Sequence, residues 1–80
     1  MSEIESIVVS YTTINVGSFW RNRTNGKSLK ISKIKEPNVG MFIVEAMGED
    51  GITQTFSAPI FERIHEQMKV AEISTMPEIA

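Results

Sequence analysis

The chain has 80 residues, of which 41% are hydrophobic and 22% are charged, and its formal net charge at pH 7 is −2. This length and composition fit one folded domain and exclude a disordered chain. The absence of cysteine excludes disulfides, zinc-thiolate sites and a thiol nucleophile. No apolar run approaches the ~20 residues that span a bilayer, and the N-terminal segment MSEIES is not a secretory signal. We therefore expect one cytoplasmic domain over residues 1–80, outside the membrane.

The first part of the chain is divided into short predicted strands. Residues 7–12 are rich in β-branched side chains and predict a strand with Ile7, Val9 and Tyr11 on one face. Residues 17–22 and 27–34 flank an Asn-Gly dipeptide at 25–26, which is the strongest short-range signal for a β-hairpin.

The phase of the apolar residues changes within the strand at 27–34. Leu29 and Ile31 alternate in phase, whereas Ile34 lies one residue out of phase. One extra residue in a strand forms a β-bulge, which bends the strand. The pattern therefore predicts a bulge here.

The second half of the chain predicts two more strands and a helix. Residues 41–47 are apolar on both faces, the turn at 48–51 is rich in glycine, and residues 52–56 form a fifth predicted strand. A helix is then predicted to start after Ser57 or Ala58. Its apolar stripe is formed by Ile60, Phe61, Ile64 and Met68. We expect an ordered core at about 7–70 and a flexible tail at 72–80. The predicted class is mainly β within α+β: a five-stranded antiparallel barrel or bent sheet with one C-terminal helix.

Basic side chains are concentrated in residues 18–35, which also contain the single tryptophan. A two-residue loop at Asn25 and Gly26, or a four-residue loop at 24–27, gives one register. It pairs Arg21 with Lys30, Arg23 with Ser28, Trp20 with Ile31 and Phe19 with Ser32. In this register Trp20 faces the core beside Leu29 and Ile31. Like charges then crowd the outer face, where direct opposition is destabilising. The basic side chains of the segment are Arg21, Arg23, Lys27, Lys30, Lys33 and Lys35.

Two interpretations of this basic surface stay open. The first is a binding surface for an anionic macromolecule, because an exposed phenylalanine among cations can stack on a ligand while the cations pair with it. Its residues would be Phe19, Arg21, Arg23, Lys30 and Lys33. The second is a solubilising strand face that the acidic C-terminal half neutralises. The carboxylates available for this are Glu45, Glu49, Asp50, Glu62 and Glu66.

Nothing in the sequence recommends a catalytic, metal or cofactor site. His65 is the single histidine and is expected to be half-exposed on the flank of the predicted helix. Asp50 is the single aspartate and lies in a predicted turn, so no acid–base pair or nucleophile triad is indicated. We therefore expect a protein that is not an enzyme.

Several short segments together resemble a known class of small domain. The segment VGSFW at 16–20, the Asn25-Gly26-Lys27 turn, the segment SLKISKI at 28–34, Gly51 and the Phe61 helix resemble SH3-like barrels of the KOW and Tudor type. The resemblance covers roughly residues 7–69. The chain lacks the glycine-spaced repeat of KOW domains and the aromatic cage of Tudor domains, so no ligand residues carry over. What the resemblance implies is a binding module, of the kind found in short phage or bacterial accessory proteins that act on a host macromolecule.

These observations lead to one functional hypothesis and one alternative. The hypothesis is a non-enzymatic module whose hairpin at 19–33 engages an acidic surface of a host or cognate protein, in the host cytoplasm if the chain is phage-encoded. The alternative is weak nucleic-acid binding by the same hairpin, although a sequence pI of about 5.3 disfavours it. An exposed strand edge would also allow a homodimer.

Overall fold

The computed structural model describes residues 4–69, which form seven short strands and one helix. The mainly β class with one helix is confirmed, whereas the prediction of five strands was wrong. The predicted tail at 72–80 lies outside the described residues. The elements are β1 (Ser6–Val9), β2 (Thr12–Asn15), β3 (Phe19–Asn22), β4 (Ser28–Asn38), β5 (Met41–Gly48), β6 (Thr53–Ser57), α1 (Ala58–Ile64) and β7 (His65–Gln67).

The strands form one five-stranded and one two-stranded antiparallel sheet. The larger sheet has the order β6-β5-β4-β3-β7, and β1 pairs with β2 in the smaller one. Strands β3 to β6 follow one another as a meander, and β7 returns across α1 to pair with β3. Within residues 4–69 neither sheet closes on itself, so β6 and β7 are the edges of the larger sheet.

The predicted first strand is instead a β-hairpin. Ser10 and Tyr11 join β1 to β2, and their φ angles are +49° and +67°. Two central residues with positive φ define the type I′ turn, whose twist matches that of the paired strands. Tyr11 is therefore fully exposed at the hairpin tip and does not share a face with Ile7, which is buried.

The core lies between the inner face of the larger sheet, the β1–β2 hairpin and α1. Trp20 is buried as predicted, in one cluster with Leu29 and Ile31. Its indole packs edge-on against Phe61 at 5.3 Å between ring centroids, and Nε1 donates a hydrogen bond of 2.8 Å to Oγ of Ser18. The buried members of the cluster are Ile7, Ile14, Trp20, Leu29, Ile31, Ile34, Val44, Ala46, Ala58 and Phe61.

The predicted bulge in β4 is confirmed at Ser32. Ile31 pairs with Ala46 and Lys33 pairs with Glu45, so Ser32 is an extra residue in the ladder between β4 and β5. The Ser32 hydroxyl donates a hydrogen bond of 3.1 Å to the Glu45 carbonyl. The bulge returns the side chain of Ile34 to the core, where it is buried.

The predicted helical stripe was wrong in its second half. The helix ends at Ile64, and β7 pairs antiparallel with β3 instead of continuing the helix. The Met68 N–H donates to the Phe19 carbonyl at 3.0 Å. This arrangement satisfies backbone groups of β3 that would otherwise lie unpaired beside a buried core. Of the predicted stripe, Phe61 is buried in α1, whereas Ile60 is exposed and Met68 lies beyond α1.

The helical content of residues 4–69 is confined to the seven residues of α1. No helix in this part of the chain has the length and apolar character needed to cross a membrane.

Candidate functional site

The predicted register of the basic hairpin was wrong by two residues. Phe19 pairs with Lys30, Trp20 with Leu29, and Arg21 with Ser28. A shift of two residues keeps every side chain on its face, because the side-chain period of a strand is two. The inward direction of Trp20 is therefore preserved, but Arg21 does not lie opposite Lys30.

The hydrogen bonds of Asn22 explain this register. Its Oδ1 accepts the N–H groups of Thr24 and Asn25 at 2.8 and 3.0 Å, and its carbonyl accepts the Gly26 N–H at 2.9 Å. Gly26 has φ +74°, which glycine adopts without a steric penalty. The loop therefore spans residues 23–26 and closes between Asn22 and Lys27, one residue earlier than predicted. Asn22 followed by Thr24 was the available signal, because Asn side chains favour such turns.

Glu66 on β7 neutralises part of the basic cluster. It lies directly opposite Arg21, whose Nε and Nη2 donate to Oε2 at 3.1 and 2.7 Å. Nη1 of Arg23 lies 3.7 Å from Oε1 of the same carboxylate. The two guanidinium groups thus share one carboxylate from the acidic C-terminal half. Glu45 likewise forms an ion pair with Lys35.

Phe19 and Lys30 form the centre of the outer face. They oppose each other directly, and Nζ of Lys30 lies 5.7 Å from the Phe19 ring centroid. Both side chains are half-buried, and Phe19 belongs neither to the buried core nor to the partly buried residues packed against it. The row continues across the sheet to Met47 on β5 and Thr53 on β6. An aromatic ring, an ammonium group and a thioether therefore lie side by side.

The structure places four of the five predicted site residues on this outer face: Phe19, Arg21, Lys30 and Lys33. Lys33 is exposed and lies opposite Glu45, beyond the bulge. Arg23 lies in the adjoining loop and joins Arg21 through Glu66. Sequence reasoning missed Met47 as part of this surface. Its position on a strand that is apolar on both faces was the signal.

His65 is buried, and its predicted half-exposed position was wrong. Its ring stacks on Phe61 at 4.3 Å and contacts Phe56 edge-on at 5.2 Å. Nδ1 lies 3.1 Å from the Phe61 carbonyl and must be its donor, because a carbonyl can only accept. Burial lowers the pKa of His65 below its usual 6.5, the Phe61 hydrogen bond opposes this shift, and the nearby Arg23 guanidinium adds to it.

Comparison of the chain with protein-family models, with curated proteins and with solved structures finds no match. Residues 4–69 contain no group of three or more histidine, aspartate and glutamate side chains arranged to hold a metal ion.

Proposed function

We propose that the chain is a non-enzymatic binding module whose outer sheet face engages an acidic segment of a partner protein. The binding residues are Phe19, Arg21, Arg23, Lys30 and Lys33. The observation that carries this proposal is the direct opposition of Phe19 and Lys30 outside the core. We call these five residues the basic-aromatic face.

The Phe19–Lys30 pair offers two kinds of contact at one point. The ring offers a large apolar surface, and Met47 beside it extends that surface with a flexible thioether. The ammonium group lies within cation–π distance of the ring, which partly orders the lysine before a partner arrives. Aromatic residues, methionine and arginine are enriched at protein interfaces. A partner carboxylate beside an apolar side chain complements this arrangement.

The charges favour an acidic protein segment over a phosphate backbone. Arg21 and Arg23 share Glu66, and Glu45 pairs with Lys35 at the other side of the face. These two carboxylates would repel a continuous line of phosphates, whereas a partner protein can place single carboxylates between them. The chain as a whole is acidic, with a net charge of −2.

The alternative function, nucleic-acid binding, can be tested by measuring how the binding constant depends on salt concentration. If Arg21, Arg23, Lys30 and Lys33 neutralised four phosphates of duplex DNA, log K would fall with log salt at a slope of about −3.6. We expect no measurable duplex binding at physiological salt in a fluorescence anisotropy titration.

The strand order supports the further proposal of a partly open, SH3-like barrel. The strands β3 to β6 form a meander, and after α1 the strand β7 pairs with β3. We expect this return to bend the sheet around the core. The bulge at Ser32 adds to that bend. The accessory role in a phage or bacterium and the cytoplasmic location implied earlier stay predictions.

Site-specific photo-cross-linking tests the basic-aromatic face directly. A photoreactive residue replaces Lys33, which is exposed on the face, and in a control replaces Arg63, which is exposed on α1. We expect a cross-linked protein partner from position 33 and none from position 63. Equal cross-linking from both positions would contradict the proposal.

A further inference from the structure

A cleft separates the β3–β4 loop from the β5–β6 turn. It has a volume of about 300 Å³, at the lower end for small-molecule sites. Phe19, Lys30 and Lys33 do not line it, so it is distinct from the basic-aromatic face. The lining residues that matter here are Asn22, Lys27, Glu49, Asp50, Gln54 and His65.

His65 contributes a fixed acceptor to this cleft. Its ring is held by Phe61 and Phe56, and Nδ1 carries the hydrogen that is donated to the Phe61 carbonyl. Nε2 of the neutral ring therefore has a lone pair, and it has no hydrogen-bond partner among residues 4–69. His65 is one of the residues that line the cleft, and Nε2 is the ring nitrogen left to accept a hydrogen bond.

Two carboxylates add further acceptors at the rim. Oε2 of Glu49 accepts the Ser28 N–H at 3.3 Å, and Oδ1 of Asp50 accepts the Ile52 N–H at 3.0 Å. Each carboxylate has a second oxygen that remains available to a ligand. Lys27 is the single cation among the described lining residues, so two carboxylates, one ammonium and a neutral imidazole give these residues a net charge of −1.

We propose that this cleft binds a small organic cation with N–H donors, of the amine or guanidinium class. His65 Nε2 accepts one donor from inside the cleft, and Glu49 and Asp50 accept others at the rim. A metal ion fits less well, because His65, Glu49 and Asp50 line the cleft but no three such side chains in residues 4–69 form a group that could hold a metal ion. An anion would meet two carboxylates and a ring nitrogen that can only accept.

The probe for the experiment is agmatine, which carries a guanidinium and a primary amine. Titration of the full chain is followed by the ¹⁵N resonances of the His65 imidazole. We expect a saturable shift of Nε2 with agmatine, and at least about tenfold weaker binding of choline, which has the charge but no N–H donor. The same titration is repeated with a blocked tripeptide that contains arginine, and its affinity is compared with that of agmatine. Tighter binding of the tripeptide assigns the cleft to a side chain of a polypeptide, and tighter binding of agmatine assigns it to a free amine.

Matched variants test whether the rim carboxylates contribute to agmatine binding. Glu49→Gln should weaken agmatine binding about tenfold, because one charge-assisted hydrogen bond is lost. Glu5→Gln makes the same charge change at an exposed position outside the cleft and should leave the affinity unchanged. If Glu49→Gln does not give a native spectrum, Asp50→Asn takes its place. Equal binding of choline, an unchanged affinity in the rim variant, or a His65 shift with inorganic phosphate alone would overturn the proposal.

Discussion

Arg21 and Glu66 lie directly opposite each other on β3 and β7, and one oxygen of Glu66 accepts hydrogen bonds from two nitrogens of Arg21. The two side chains are 34% and 41% exposed, so solvent screens the pair. We predict a coupling of about 0.5 kcal/mol in a double-mutant cycle of Arg21→Ala and Glu66→Ala, measured by urea unfolding. The coupling should shrink in about 1 M salt.

A matched cycle controls for effects that are not pairwise. Arg63→Ala combined with Glu66→Ala should show no coupling, because Arg63 forms none of the described ion pairs of Glu66. A coupling of the same size in both cycles would show that the Arg21–Glu66 contact is not its source.

The β1–β2 turn holds two non-glycine residues at positive φ. Ser10 and Tyr11 occupy the positions where a type I′ turn favours Asn-Gly. Left-handed backbone costs an ordinary residue roughly 1–2 kcal/mol. The double change Ser10→Asn and Tyr11→Gly should therefore raise the free energy of unfolding by about 1 kcal/mol, measured by urea denaturation. Tyr11→Ala keeps a Cβ at this position and should give no such gain. A lower stability of the Asn-Gly variant would contradict the turn assignment.

His65 should make stability depend on pH. Burial lowers its pKa in the folded chain below the 6.5 of the unfolded chain. Between these two values the unfolded chain binds more protons, so the free energy of unfolding rises with pH. The stabilisation is complete above the unfolded pKa and is lost as the pH falls towards the folded pKa. Urea unfolding from about pH 5 to about pH 8 measures this slope.

His65→Phe is the matched variant for this prediction. It keeps an aromatic ring between Phe56 and Phe61, and the Phe61 carbonyl keeps the backbone N–H of residue 65 as a donor. Subtracting its pH profile from that of the original chain should isolate the imidazole contribution. Parallel profiles between pH 5 and pH 8 would mean that His65 does not carry the dependence.

Within residues 4–69 the edge of β6 has no neighbouring strand, which would allow a homodimer through this edge. The strand Thr53–Ser57 has no charged side chain, and charges are a common protection of sheet edges. We expect sedimentation to show a dimer that Thr55→Lys converts to a monomer. Thr24→Lys places the same charge in the β3–β4 loop and should leave the dimer intact. If the original chain is a monomer at every concentration, it does not associate through the β6 edge.

Local patterns predicted those features that neighbouring residues alone determine. The out-of-phase Ile34 indicated the bulge at Ser32, and alternation placed Trp20 inside. The register of the hairpin depended on the side-chain hydrogen bonds of Asn22, which shift the turn by one residue without changing the apolar pattern. Ser10 and Tyr11 give no sequence signal for a type I′ turn, because Asn, Asp and Gly are the residues that favour its positive φ angles.

The strand β7 could not be predicted from its own residues. An apolar spacing from Phe61 to Met68 fits a helix, and short apolar patterns do not separate helix from strand. The choice between helix and strand for residues 65–67 depends on β3, which is distant in sequence. The edge of β3 needs hydrogen-bond partners, and residues 65–67 supply them. That pairing also brings Glu66 to Arg21 and His65 to the cleft, so both sites depend on the contact between β3 and β7, which are distant in sequence.

Affinity capture with matched charge-reversal variants tests the basic-aromatic face most directly. Immobilised chain, its Lys30→Glu variant and its Arg63→Glu variant are exposed to the same cell lysate, with and without nuclease. We expect a protein that the original chain and Arg63→Glu retain in the presence of nuclease, and that Lys30→Glu loses. Equal retention by Lys30→Glu, or loss of all captured material on nuclease treatment, would contradict it.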